Sequence, residues 1–149
     1  MLVKITTTEI DINNELKSLQ GNSNIGGIAS FIGTVRGDNG LYSLTLEHYP
    51  NMTEKKLTKI AQIAKQKFSV NDIIIIHRVG EILVGDAIVF VGSNSPHRGD
   101  CQNAVVFIMD YLKTDAPFWK MEKYNNGETK WIEQKQIDID KKTIGVNNA

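Results

Sequence analysis

Ala87-Ile88-Val89-Phe90-Val91-Gly92-Ser93-Asn94-Ser95-Pro96-His97-Arg98-Gly99-Asp100 passes from an unbroken apolar run, through a polar loop, to the start of a helix. Ala87 to Val91 is too short for a core helix and rich in β-branched residues, which suits a strand covered on both faces. Asp100 is placed to cap a helix whose apolar positions Ala104, Ile108, Tyr111 and Leu112 face one way, and Pro117 stops it. Upstream, Ile73 to Ile76 is a second doubly covered strand, with Gly85-Asp86 turning between the two. Before it, Leu57, Ile60, Ala61, Ala64 and Phe68 recur at helical spacing, with Thr53 as cap and Glu54 in the first turn.

The flanks extend this pattern. Gly26 to Val35 reads as a strand ending at Arg36, and Gly37-Asp38-Asn39-Gly40 as a turn. Leu44, Leu46 and His48 then alternate with Thr45, Glu47 and Tyr49, as in a strand with two unlike faces, and Pro50 closes it. Near the N-terminus Thr8 is a candidate cap for a short helix through Leu16. Downstream, Trp119 to Tyr124 and Thr129 to Glu133 flank Asn125-Asn126-Gly127-Glu128, a hairpin signal. Ile137 and Ile139 hint at one more strand in a polar tail over 134–149, whose last residues Asn147-Asn148-Ala149 are expected to fray. Helices interleaved with strand pairs predict a single α+β domain over 1–149, with a core from about 24 to 133 and a mixed or antiparallel sheet.

Bulk composition narrows the function. In 149 residues, 41% of them hydrophobic, one core can form. Seventeen basic residues balance seventeen acidic ones, so no overall field attracts nucleic acid or an anionic membrane, and any anion site is local. The single cysteine, Cys101, excludes an internal disulfide framework and points to a reducing compartment. No run approaches the roughly 20 apolar residues of a membrane span and the start does not resemble a leader, so the expected location is cytoplasmic.

Several side chains are candidates for chemistry. His97 and Arg98 stand where a strand meets a helix N-terminus, a place that suits phosphate or carboxylate; the alternative is a helix cap with a solvated arginine. Lys113 and Lys120, from a helix end and a strand start, can meet in one cavity, where desolvation and mutual repulsion would make one of them a base or nucleophile; the alternative is two surface lysines. Glu122 shares a strand face with Lys120 and either positions it or is an ordinary cross-strand charge partner. Arg36 offers a forked contact to phosphate, or else is solvated. Cys101, close to a helix start, supports a thiol enzyme or is a buried apolar residue. His48 and His77 lack the third ligand a metal needs, so no metal is expected.

Phe31-Ile32-Gly33-Thr34-Val35-Arg36, Leu44 to Pro50, His77-Arg78-Val79-Gly80-Glu81, Pro96-His97-Arg98 and Phe107 to Lys120 together, in this order, resemble the molybdopterin synthase large-subunit family. The likeness spans roughly residues 26 to 133. It implies an α/β hammerhead-type domain with an additional antiparallel β subdomain. It further implies a homodimer carrying one small ubiquitin-like subunit per protomer, a heterotetramer overall. The small subunit's Gly-Gly thiocarboxylate tail would deliver sulfur to cyclic pyranopterin monophosphate, and the large subunit would need no cofactor. On this resemblance Lys113 and Lys120 are the catalytic residues. Thr34, Val35, Arg36, His97, Arg98 and Met121 to Glu122 join them in binding substrate, although Met121 stands where relatives usually carry a basic side chain. The rival function is a non-catalytic module that grips a phosphorylated ligand or an acidic tail.

Overall fold

Four consecutive isoleucines, Ile73 to Ile76, are all buried, because the strand that carries them is one of two inner strands of a layer with helices on both sides. The computed structural model describes residues 1–21, 23–115 and 118–132. That central strand, β4 (Asp72–Arg78), pairs in parallel with β1 (Leu2–Thr6) and antiparallel with β6 (Ala87–Ser95), and β6 pairs antiparallel with β2 (Gly27–Thr34). The order β1-β4-β6-β2 leaves β1 and β2 as edges. Alternation along β4 divides the core: Ile73 and Ile75 pack with Leu57, Ala61 and Ile108, and Ile74 and Ile76 pack with Ile10, Leu19 and Phe90. Burying each such side chain contributes roughly 1.5–3 kcal/mol.

The helices cover these faces as their spacing predicts. In α2 (Met52–Lys67), Leu57, Ile60, Ala61 and Ala64 are buried; in α3 (Arg98–Thr114), Ala104 and Ile108 are buried while Tyr111 and Leu112 pack against the same cluster. The expected caps move by a few residues. Asp11, not Thr8, caps α1 (Ile12–Ser18), its carboxylate accepting from the Asn14 amide at 3.1 Å. Asn51, not Thr53, precedes α2, and Thr53 is wholly buried inside the first turn. His97, not Asp100, occupies the cap position of α3. There Ser95 supplies the capping oxygen, accepting from the Cys101 amide at 3.1 Å while donating to the His97 carbonyl. Serine at the end of a buried strand thus does the work expected of the aspartate five residues later.

A second, antiparallel sheet has the order β5-β3-β7-β8, built from β3 (Leu41–His48), β5 (Gly80–Leu83), β7 (Phe118–Tyr124) and β8 (Thr129–Ile132). Val35, Leu44, Leu46, Val79 and Ile82 form its core. The β7–β8 hairpin closes as the Asn-Gly pair predicts, with Gly127 at φ +87° and its amide donating to the Tyr124 carbonyl at 2.9 Å. β1 and β5 are strands that the pattern reading did not separate from their surroundings. The chain between Ile76 and Ala87 does more than turn: it crosses from one sheet to the other and contributes β5 before returning. A mixed sheet with helices plus an added antiparallel sheet is the α+β arrangement expected. Pro117 as helix stop, Glu133 as strand end, the Ile137–Ile139 strand and the fraying tail lie outside the described residues.

Candidate functional site

Val35 is pinned between the sheets: its amide donates to the Asp86 carbonyl at 3.0 Å and its carbonyl accepts from the Gly85 amide at 2.8 Å. Arg36, the next residue, is thereby aimed from the end of β2 over the inner face of the second sheet. The guanidinium is largely exposed and ion-paired with Asp38 of the following turn. On β7 the register alternates faces, so Phe118, Lys120, Glu122 and Tyr124 point inward while Trp119, Met121 and Lys123 point out. Between these elements lies a cavity of about 720 Å³, within the size range of small-molecule sites, walled by Thr34, Val35, Arg36, Lys120, Glu122, Tyr124 and Lys130 among others.

Five of the expected site residues therefore meet in one hollow: Thr34, Val35, Arg36, Lys120 and Glu122. Lys120 and Glu122 share a face, as their spacing predicts. Four others lie outside this wall within a single chain. The Met121 side chain is on the opposite face of β7, opposite Thr45 and Trp131 in the register. Lys113 is exposed on the last turn of α3. Because α3 starts where β6 ends and packs back along β6 and β2 for about 25 Å, that turn lies toward the Thr34 end of the sheet. His97 and Arg98, both exposed, sit at the other end. A Cβ built on Gly27 would lie 3.2 Å from the Arg98 Cα, and Gly27 and Thr34 are separated by the whole of β2, about 23 Å.

Lys130, Trp131, Tyr124 and Asp38 also line the cavity and were not singled out from the sequence. Lys130 was within reach of counting, since the hairpin register places it opposite Glu122. Three cationic groups, Arg36, Lys120 and Lys130, face two carboxylates, Asp38 and Glu122, so the hollow favours an anion once Arg36 turns from Asp38. The Tyr124 hydroxyl donates to Glu122 Oε1 at 3.0 Å, and this hydrogen bond holds the phenol above its usual pKa.

Beneath Lys120, His77 is 7% exposed and stacks on Phe118 with ring centroids 4.0 Å apart. Burial first, then the charges of Lys120 and His48, lower its pKa to about 4 against the opposing effect of the Arg78 carbonyl contact, so the ring is neutral. Its Nδ1 lies 3.0 Å from that carbonyl, which requires the Nδ1–H tautomer as donor. Cys101 is 1% exposed with its thiol donating to the Arg98 carbonyl at 3.3 Å, an enclosed position away from the cavity lining.

The profile of the family described as MoaE protein matches residues 5–115. A molybdopterin synthase catalytic subunit from Pasteurella multocida is 44% identical over 140 residues, covering 91% of this chain and 92% of the relative. Among solved structures, a molybdopterin biosynthesis MoaE protein from Burkholderia ambifaria superposes with a TM-score of 0.81 at 42% identity, covering 97% of each chain. A molybdopterin synthase from Staphylococcus aureus gives 0.79 at 30% identity, covering 87% of this chain and 95% of that one. Matched in sequence across most of its length and in fold across both sheets, the chain belongs to the MoaE protein family.

Proposed function

We propose that this chain is the catalytic subunit of a molybdopterin synthase, a sulfurtransferase that moves sulfur from the thiocarboxylated C-terminus of a small ubiquitin-like protein to cyclic pyranopterin monophosphate. The observation that carries the proposal is the convergence of Arg36, from the end of β2, and Lys120, from β7, on one hollow. An extended glycine tail fits such a hollow because it brings no side chains. Arg36 meets the phosphate in a forked contact. The thiocarboxylate sulfur bonds to a side-chain carbon of the pterin as a carbon–oxygen bond at that carbon breaks and its oxygen departs with the electron pair. Water then cleaves the acyl carbon–sulfur bond of the resulting thioester, so that the tail leaves as a carboxylate and the sulfur stays on the pterin. Lys120 stabilises the oxyanion that develops at the acyl carbon, and Lys113, on the helix end leading into β7, flanks the incoming tail. Sulfur arrives on the partner, so Cys101 has no part in the reaction.

A homodimer accounts for His97 and Arg98. Among the described residues β2 is an open edge bearing Ile28, Phe31 and Ile32 at 38%, 43% and 38% exposure, the kind of edge that invites pairing. Two copies joined antiparallel along β2 set the Gly27 end of each beside the Thr34 end of the other. His97 and Arg98 of the second copy then approach Arg36, adding cations to the substrate phosphate, and a small subunit on each protomer completes a heterotetramer. No helix among the described residues is long and apolar enough to cross a membrane. A reaction between a soluble tail and a free pterin phosphate belongs in the cytoplasm.

The test mixes the purified chain with thiocarboxylated small protein and cyclic pyranopterin monophosphate and measures dithiolene formation. Lys120→Ala is expected to lose about 10²-fold or more of the rate while still binding the small protein. A fully active Lys120→Ala would remove that assignment. Binding of tail and phosphate by the wild type with no turnover would favour the non-catalytic module.

A further inference from the structure

We propose that Glu122 and Tyr124 form a specificity subsite for the heterocycle, in which the Glu122 carboxylate, held by the Tyr124 hydroxyl, takes the two adjacent N–H donors of a 2-amino-4-oxopyrimidine ring edge. The proposal rests on the pterin reading above and adds which residues recognise the ring. A cavity built to accept a phosphate and a thiocarboxylate gains nothing from a carboxylate unless that carboxylate meets donors of its own. Glu122 is nevertheless in the wall, on the same inward face of β7 as Lys120.

The carboxylate is acceptor-only, with two lone pairs on each oxygen. Tyr124 occupies one of those on Oε1, at 3.0 Å, and fixes the plane of the group. Oε2 and the second Oε1 lone pair remain to be matched by ligand donors. The ring N–H and exocyclic amino group of a 2-amino-4-oxopteridine are spaced for a forked contact of the kind carboxylates make with guanidinium. Arg36, on a different element, is left to the phosphate, so the two ends of one ligand would meet groups of opposite sign. Leu44, the register partner of Glu122, and Ile132, the partner of Lys120, offer an apolar wall beside them.

Two neutral probes separate ring recognition from phosphate binding. Both 2-amino-4-oxopteridine and 2,4-dioxopteridine lack phosphate, and the second replaces the amino donor by a carbonyl acceptor that faces the carboxylate. Calorimetric titration of the wild-type chain is expected to show the amino compound binding about tenfold or more tightly, because the other leaves the half-buried Glu122 carboxylate facing a carbonyl oxygen. Glu122→Gln should abolish the preference, and Tyr124→Phe should narrow it to about threefold by freeing the carboxylate plane. Tyr124→Phe keeps the ring, and a merely structural tyrosine would not change the ratio of the two affinities. Equal binding of the two probes, binding of neither, or an unchanged ratio in Tyr124→Phe overturns the subsite. Dithiolene formation by a wild type without ring preference overturns the subsite alone. Ring preference in a chain that forms no dithiolene supports the subsite and counts against sulfur transfer.

Discussion

His77→Leu removes a buried base whose neutrality the fold enforces, and its consequence is a change in how stability follows pH. The ring titrates near 6.5 when exposed in the unfolded chain and at about 4 in the native protein. Between those values the unfolded chain binds a proton that the native one does not, so stability falls as acid is added. The contribution is fully present above pH 6.5 and is lost progressively down to about pH 4. The gap corresponds to about 3 kcal/mol at 1.36 kcal/mol per unit. Carboxylates titrate in the same window in both proteins, so the informative quantity is the difference between wild type and variant. At pH 7 the variant is less stable, having lost the ring stacked on Phe118 and the contact to the Arg78 carbonyl. Toward pH 4 that deficit is expected to shrink by about 3 kcal/mol as the wild type weakens and the variant does not. Urea unfolding at several pH values from 7 to 4 measures it. Parallel stability curves, or a His77 proton resonance titrating near 6.5 in the native protein, would refute the reasoning.

Three further outcomes follow from the packing. Cys101→Ser should keep dithiolene formation within about twofold of wild type, since the thiol is enclosed and away from the cavity, while costing about 1 kcal/mol in thermal unfolding. Gly26→Ala should destabilise by roughly 2–3 kcal/mol, because the new Cβ would stand within van der Waals contact of the Pro96 carbonyl oxygen and neither backbone can yield without losing the 2.9 Å bond from the Gly26 amide to the Ser95 carbonyl. Ile108→Ala, in the cluster shared by α2, α3 and β4, should cost about 2–5 kcal/mol by denaturant unfolding and leave the affinity for pteridines unaltered.

Much of the fold was legible because the strongest signals are periodic. The Leu57–Ala64 and Ala104–Leu112 stripes, the isoleucine run and the Asn-Gly hairpin each lead to the element observed. The losses have physical causes. β1 carries too few residues to display alternation, and its reason to be a strand is the long-range parallel pairing of Leu2–Thr6 with Ile74–Arg78. β5 was hidden because its four residues serve a different sheet from the strands on either side. The caps moved because side chains such as Ser95 and Asp11 reach the first turn from positions that helical spacing alone does not distinguish.

At the site, Arg36, Lys120 and Glu122 could be chosen from the ends and faces of predicted strands, and the resemblance gave them roles. Their meeting in one hollow depends on the packing of two sheets, which no local pattern reveals. Tyr124 and Lys130 are unremarkable beside a hairpin turn until the β7–β8 register sets Lys130 opposite Glu122 and the Tyr124 hydroxyl is seen to bond the Glu122 carboxylate on their shared face of β7. The distance of His97 and Arg98 from the other cations within one chain is likewise invisible until the length of β2 lies between them.

The central claim is that the Arg36–Lys120 hollow receives another protein's thiocarboxylate tail and passes its sulfur to a pterin. Mass spectrometry of the small protein, taken alongside dithiolene yield in the complete mixture, tests it most directly. The wild-type chain should consume two thiocarboxylates for each dithiolene formed, and Lys120→Ala should leave the bound tail thiocarboxylated. A wild-type complex in which the tail stays bound with its sulfur, while the pterin phosphate is recovered unchanged, would contradict the account.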